Sequence, residues 1–180
     1  MALTTLVNVE NNTPLTAIRK VLTAILARPD IEAIMVSTAS ASGASVMPEL
    51  ITDPDRLDRA DPLSPCFPMN GARLVSRLTR KTMRKKIAVM LRPCEIRALV
   101  ELVKLNQASL ENLILVSMDC LGAFTNKDWA TLNASAPDDF NRSFYADRLG
   151  GKTAPDGGPD IAPACRACEY PVSDMADIQF

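Results

Sequence analysis

The sequence predicts an α/β fold, with a parallel or mixed sheet and flanking helices. Three observations carry that expectation. Two continuous apolar runs, Ile87–Leu91 and Leu113–Met118, have the length and composition of strands covered on both faces. Between them Ile96, Leu99, Val100, Leu102, Val103 and Leu105 recur at helical spacing. The whole, Lys86–Met118, is close to the ~30 residues that a βαβ crossover needs. Each strand then runs into a cysteine, Cys94 or Cys120, at the carboxyl edge where open α/β sheets place their ligands. The two cysteines are expected side by side there, holding a ligand.

In chain order, Leu3–Val9 reads as a short strand. Thr13-Pro14 opens a helix, with a hydroxyl N-cap and proline at the first helical position. Leu15, Ile18, Val21, Leu22, Ile25 and Leu26 form its apolar stripe, and Pro29-Asp30 ends it. Ile31–Ser37 reads as a strand. Thr38–Ser45, small and polar around Gly43, reads as a plain surface connection rather than a phosphate-binding loop. Val46–Ser64, with three prolines and several aspartates, reads as a turn-rich connection with one short helix. The prolines and glycine of Ser64–Arg73 force an irregular path. Asn70-Gly71 then opens a helix carrying Leu74, Val75 and Leu78. The cluster Arg77–Lys86 reads as a solvated helix end. In the central helix, Glu95, Arg97, Glu101 and Lys104 are expected outside, with no role beyond a weak Glu101–Lys104 pair.

After Gly122 the composition turns to Asp, Asn, Gly and Pro. Residues 1–122 are read as an α/β core domain. Residues 123–180 are read as an irregular, cysteine-bearing excursion, expected to be incomplete at its C-terminus. Short helices are expected at Lys127–Asn133 and Phe140–Leu149, a mobile turn at Pro155–Pro159, and a strand beginning within Met175–Phe180.

Composition narrows the function. The chain has 180 residues, 47% of them hydrophobic, and a net charge of −1. Nothing in that balance points to nucleic acid or an anionic membrane. No apolar run reaches the ~18 residues of a spanning helix. With no signal-peptide pattern, a cytoplasmic location is expected. There are five cysteines and no histidine. An odd number of scattered cysteines argues against a disulfide framework. The missing imidazole removes Ser-His and Cys-His nucleophile pairs and every mixed Cys/His zinc site. No side chain stands out as an acid or base.

A transition-metal site must therefore rest on thiolate. Cys165-x-x-Cys168, Cys94 and Cys120 together supply four sulfurs. Pro93 at a first helical position puts Cys94 in the first turn, where free N–H groups and the helix dipole are expected to lower its pKa. Gly122 would let backbone approach a bulky inorganic core. One tight pair plus two scattered single ligands favours a [4Fe–4S] cluster over zinc, whose structural sites usually come as two tight pairs. Cys66, between prolines, is left as an unliganded thiol. Two rivals are a redox-inert scaffold, zinc-bound or apo, that docks a larger subunit, and a thiol–disulfide protein using Cys165 and Cys168.

Three stretches, RPCEIRALVELVKLNQA, SMDCLGAF and PACRACEYPVSDMADI, resemble the beta subunits of coenzyme F420-reducing hydrogenases and dehydrogenases. The formate dehydrogenase beta-type branch is the nearest in pattern. MPELITDPDRLDRADPLSPCFPMNGARLVSRLT extends the resemblance upstream, so that it runs from about Ile31 to Phe180. The resemblance implies an oxidoreductase flavoprotein subunit with FAD beside one [4Fe–4S] cluster. Cys94, Cys120, Cys165 and Cys168 would be the cluster ligands, and Asn70, Arg73, Arg92 and Pro93 would lie near the flavin. It also implies larger partner subunits of hydrogenase, formate dehydrogenase or heterodisulfide reductase type. Family members are longer, and a further half-domain is expected beyond the segment matching ADIQF.

Overall fold

The computed structural model describes residues 3–40, 45–135, 140–152 and 158–180. Its centre is a mixed sheet of β1 (Ile31–Ala39), β2 (Val46–Ile51), β3 (Lys86–Leu91), β4 (Leu113–Ser117) and β5 (Ile178–Gln179). The order is β2-β1-β3-β4-β5. β1, β3, β4 and β5 run parallel, and β2 lies antiparallel along the edge of β1. This is the expected α/β architecture.

Strand alternation divides the core into two layers. Ile34, Val36, Ala88, Met90, Val116 and Met118 face helix α1 (Pro14–Leu26), which contributes Ile18, Leu22, Ile25 and Leu26. Ala33, Met35, Ile87, Val89, Leu91 and Leu115 face α2 (Ala72–Leu78) and α3 (Pro93–Lys104), which bring Ala72, Val75, Ile96 and Leu99. Both faces of the parallel strands are thus covered, as their unbroken apolar runs require. The exposed Glu101–Lys104 pair forms at 2.7 Å.

The C-terminal part returns to this frame. Helices α4 (Asn126–Ser135) and α5 (Phe140–Leu149) build a third apolar cluster from Phe124, Trp129 and Phe144, closed by Cys66 and Ile161. Phe124 meets the rings of Phe140 and Phe144 at centroid distances of 6.2 and 5.3 Å. A four-residue helix, α6 (Pro163–Arg166), carries Cys165. β5 then pairs with β4, its end fixed by Phe180 N–H to Ser117 O and Asp119 N–H to Phe180 O, both 3.0 Å.

Several expectations are corrected. Leu3–Val9 is exposed coil, not a strand. The Thr13 hydroxyl donates to Asn11 O at 3.1 Å instead of capping α1. Val46–Ile51 is a strand where a turn-rich connection is expected; Pro48 hides it, but an edge strand tolerates proline's missing donor. Glu95 is buried rather than outside. Gly43 of the Thr38–Ser45 loop and most of the Pro155–Pro159 turn lie outside the described residues. Among the described residues no helix is long and apolar enough to cross a membrane.

Candidate functional site

The carboxyl edge of β3 and β4 is shaped by two local rules. Arg92 is extended (φ −74°, ψ 159°), as a residue before proline must be, and Pro93 starts α3 directly. Cys94 therefore sits in the first helical turn, as expected. Leu91 pairs in register with Ser117, and Cys94 and Cys120 each lie three residues further on. The crossover thus delivers both cysteines to one rim.

The Cys165–Cys168 segment is tied down over that rim. Cys120 N–H donates to Pro171 O at 2.9 Å, and Ala162 N–H to Ala123 O at 2.8 Å. From α3, Arg97 Nη1 donates to Tyr170 O at 3.0 Å, and its Nη2 lies 4.0 Å from Cys168 Sγ. Gly122 has φ +107°, and a Cβ there would stand 2.8 Å from Ile161 Cδ1 and 3.6 Å from Cys165 Cβ. The glycine is thus needed for the cysteine loop to pack close. Gly122→Ala is expected to cost about 1–3 kcal/mol for the strained backbone. Urea unfolding measures this, and a loss under about 0.5 kcal/mol would show that the loop relaxes freely.

The sulfurs share one electrostatic environment. Burial pushes the Cys94 thiol up to about 11, and the Glu95 carboxylate, Cys120 and Cys165 add to this against the Arg92 guanidinium. Burial also raises Cys120, opposed by Arg92 and the Gly122 N–H, with Cys165 and Cys168 adding to the rise. Cys94 thus lies above its ordinary value where the helix start predicts it below, with lost hydration the largest cause. Without a bound cation these two thiols keep their protons, and a metal centre would displace them on binding. Among the described residues, no three Cys, Asp or Glu side chains are arranged to hold a single metal ion.

Cys66 stands apart. It is buried in the aromatic cluster, its thiol donates to Asn126 Oδ1 at 3.7 Å, and burial pushes its pKa up to about 11.

The residues expected near a flavin have visible work in the fold. Asn70 Oδ1 accepts from Ala72 N–H at 3.0 Å at the start of α2. Arg73 is exposed. Arg92 Nη2 donates to Ser64 O and Cys66 O at 2.8 and 2.7 Å, and its guanidinium lies 5.4 Å from the Phe67 ring centroid. Pro93 is buried at the head of α3. The Asn70-Gly71 and Arg92-Pro93 turns are brought together by Glu95, whose carboxylate accepts from Gly71 N–H at 2.7 Å and Arg92 N–H at 2.8 Å. Beyond Cys120, an apolar depression of about 420 Å³ is lined by Val9, Ile18, Met118, Leu121, Tyr145 and Phe180.

Glu95 and Arg97 are the contributors that sequence reasoning missed. Both carried a signal. Glu95 is three residues after an N-cap position, the place of a capping-box acid, and Arg97 is one turn from Cys94 on the same helix face.

No family model matches the chain. Over 79 residues it is 33% identical to F420-dependent formate dehydrogenase subunit beta of Methanocaldococcus jannaschii, which is 44% of this chain and 20% of that protein. Its structure is similar to a chain of the F420-reducing [NiFe] hydrogenase complex from Methanosarcina barkeri, studied by xenon derivatization. The TM-score is 0.60 at 16% identity, covering 89% of this chain and 61% of that one. The chain thus spans a fifth of the curated relative and under two thirds of the solved chain. The structural likeness establishes the fold. The curated match, over those 79 residues, is in keeping with the resemblance read from the sequence motifs.

Proposed function

We propose that this chain is an electron-transfer subunit, or part of one, of a hydrogenase- or formate dehydrogenase-type oxidoreductase complex. In this reading Cys94, Cys120, Cys165 and Cys168 ligate one [4Fe–4S] cluster, and FAD binds beside it. The supporting observation is the anchoring of the Cys165–Cys168 loop over the Cys94–Cys120 rim, by Cys120 N–H to Pro171 O and Ala162 N–H to Ala123 O. When bound, such a cluster supplies one-electron transfer and a flavin links it to two-electron hydride chemistry.

The chain's own residues do the holding. Pro93 and Glu95 fix the first turn of α3 and so fix Cys94. Arg92 places a permanent cation that favours the charged form of both Cys94 and Cys120. The Gly122 N–H does the same at Cys120. Asn70, Arg73, Arg92 and Pro93 are proposed to face the flavin, supported by the Glu95 link that holds their two turns together. A zinc scaffold is the weaker reading, because one tight pair and two scattered single cysteines are not the two tight pairs that structural zinc sites usually bring. Five free cysteines suit a reducing compartment, in keeping with a proposed cytoplasmic location.

Anaerobic purification of the full chain tests the proposal. The expected result is ~4 irons and ~4 acid-labile sulfides per chain, with a broad visible charge-transfer shoulder. About one zinc with neither iron nor sulfide would end it. Resolved flavin bands on top of the shoulder are expected if FAD binds this chain alone, and the shoulder without them would remove FAD from the assignment.

A further inference from the structure

We infer that Arg97 is the charge partner of the Cys168 thiolate and raises the reduction potential of the cluster; the inference rests on the four-cysteine reading above. Arg97 lies one turn beyond Cys94 on α3, so its side chain leaves the helix on the cysteine side. The guanidinium spans to the C-terminal loop in three ways. Nη1 donates to Tyr170 O at 3.0 Å, Nη2 approaches Cys168 Sγ at 4.0 Å, and the group lies 5.4 Å from the centroid of the Tyr170 ring.

Arg28, Arg56 and Arg166 pair with the carboxylates of Asp30, Glu49 and Asp160, and among the described residues Arg19, Arg59 and Arg92 donate to backbone carbonyls without one. Among the described residues Arg97 pairs with none, and the polar side-chain atom it approaches is a sulfur. A planar fork can serve a carbonyl and a sulfur together, which a lysine ammonium on a flexible stem cannot do in one fixed geometry.

The consequence concerns potential. One-electron reduction adds a negative charge to the site. A fixed cation with an N–H aimed at a ligand sulfur stabilises the reduced state more than the oxidised one. Cys168, like Cys94, is exposed, so water screens part of the effect. The expected change is several-fold in the reduced-to-oxidised ratio, not orders of magnitude.

The test is a potentiometric titration of the full, iron-loaded chain, followed by electron paramagnetic resonance. Dithionite supplies the electron, one per cluster. Arg97→Gln is expected to keep wild-type iron and sulfide, while the reduced-to-oxidised ratio at the wild-type midpoint falls several-fold. Arg97→Lys, which keeps the charge without the fork, is expected to fall by less. An unchanged midpoint in both variants overturns the inference and leaves the cluster reading standing. Loss of the cluster from both, with the fold intact by circular dichroism, also overturns it, making Arg97 a tether of the loop. A wild-type chain without iron or sulfide is instead a failure of the cluster reading itself.

Discussion

Replacing any one of Cys94, Cys120, Cys165 or Cys168 by serine is expected to reduce bound iron and sulfide about five-fold or more, whereas Cys66→Ser retains them. Serine does not ionise near neutral pH and is a poor ligand for this metal core. The chain offers no substitute, since it contains no histidine. Cys66 differs because its thiol is enclosed among Phe124, Phe144 and Ile161 and is directed at Asn126. Iron and sulfide analysis of the five variants, with circular dichroism as a check on folding, separates the sets. Any one of the four serine variants that keeps its full iron removes that cysteine from the ligand set. Equal losses in all five would mean that the assay reports stability instead of ligation.

The second large effect is expected at Glu95. Its carboxylate is 8% exposed and accepts from two backbone N–H groups on different segments, Gly71 and Arg92. Hydrogen bonds to a charged group contribute about 1.5–3 kcal/mol each, against a burial cost that offsets part of the sum. Glu95→Ala is therefore expected to destabilise the chain by about 3 kcal/mol, on the order of 6–12 °C in Tm for this size. Glu95→Gln keeps the shape but has one acceptor oxygen for two donors, so about half of that loss is expected. Chemical denaturation gives both numbers, and a loss below about 0.5 kcal/mol for Glu95→Ala would show that water replaces the carboxylate at no cost. The link matters for the site because Gly71 leaves no room. A Cβ there would meet Leu91 Cδ2 at 2.7 Å and Glu95 Oε1 at 3.1 Å.

Much of the frame is legible locally. α1 begins at Pro14 and α3 at Pro93 because proline fixes the dihedral that a first helical residue needs. β3 and β4 read as apolar runs because helices cover both of their faces. Phe140–Leu149 is a helix with the bounds expected from its pattern. Where local reading failed, a longer-range arrangement had the deciding role. β2 carries a proline that only its edge position excuses. For Cys94 the helix turn predicts a lowered pKa, and the folded chain raises it through lost hydration of the thiol and the neighbouring Glu95 carboxylate, although the residue as a whole stays exposed.

The sequence by itself determined the two-sided strands, the proline-started helices and the donor chemistry, which is thiolate alone because no imidazole exists. It also carried the motif resemblance. Only the tertiary structure decided that residues 161–171 come back to lie over the rim, that Glu95 is buried between the Gly71 and Arg92 turns, and that Arg97 reaches Tyr170 O. The reason is physical. Periods of two and 3.6 residues are written in consecutive positions, whereas an N–H of Cys120 meeting a carbonyl of Pro171 uses backbone groups that nearly every residue carries, so such docking leaves no trace in composition or spacing.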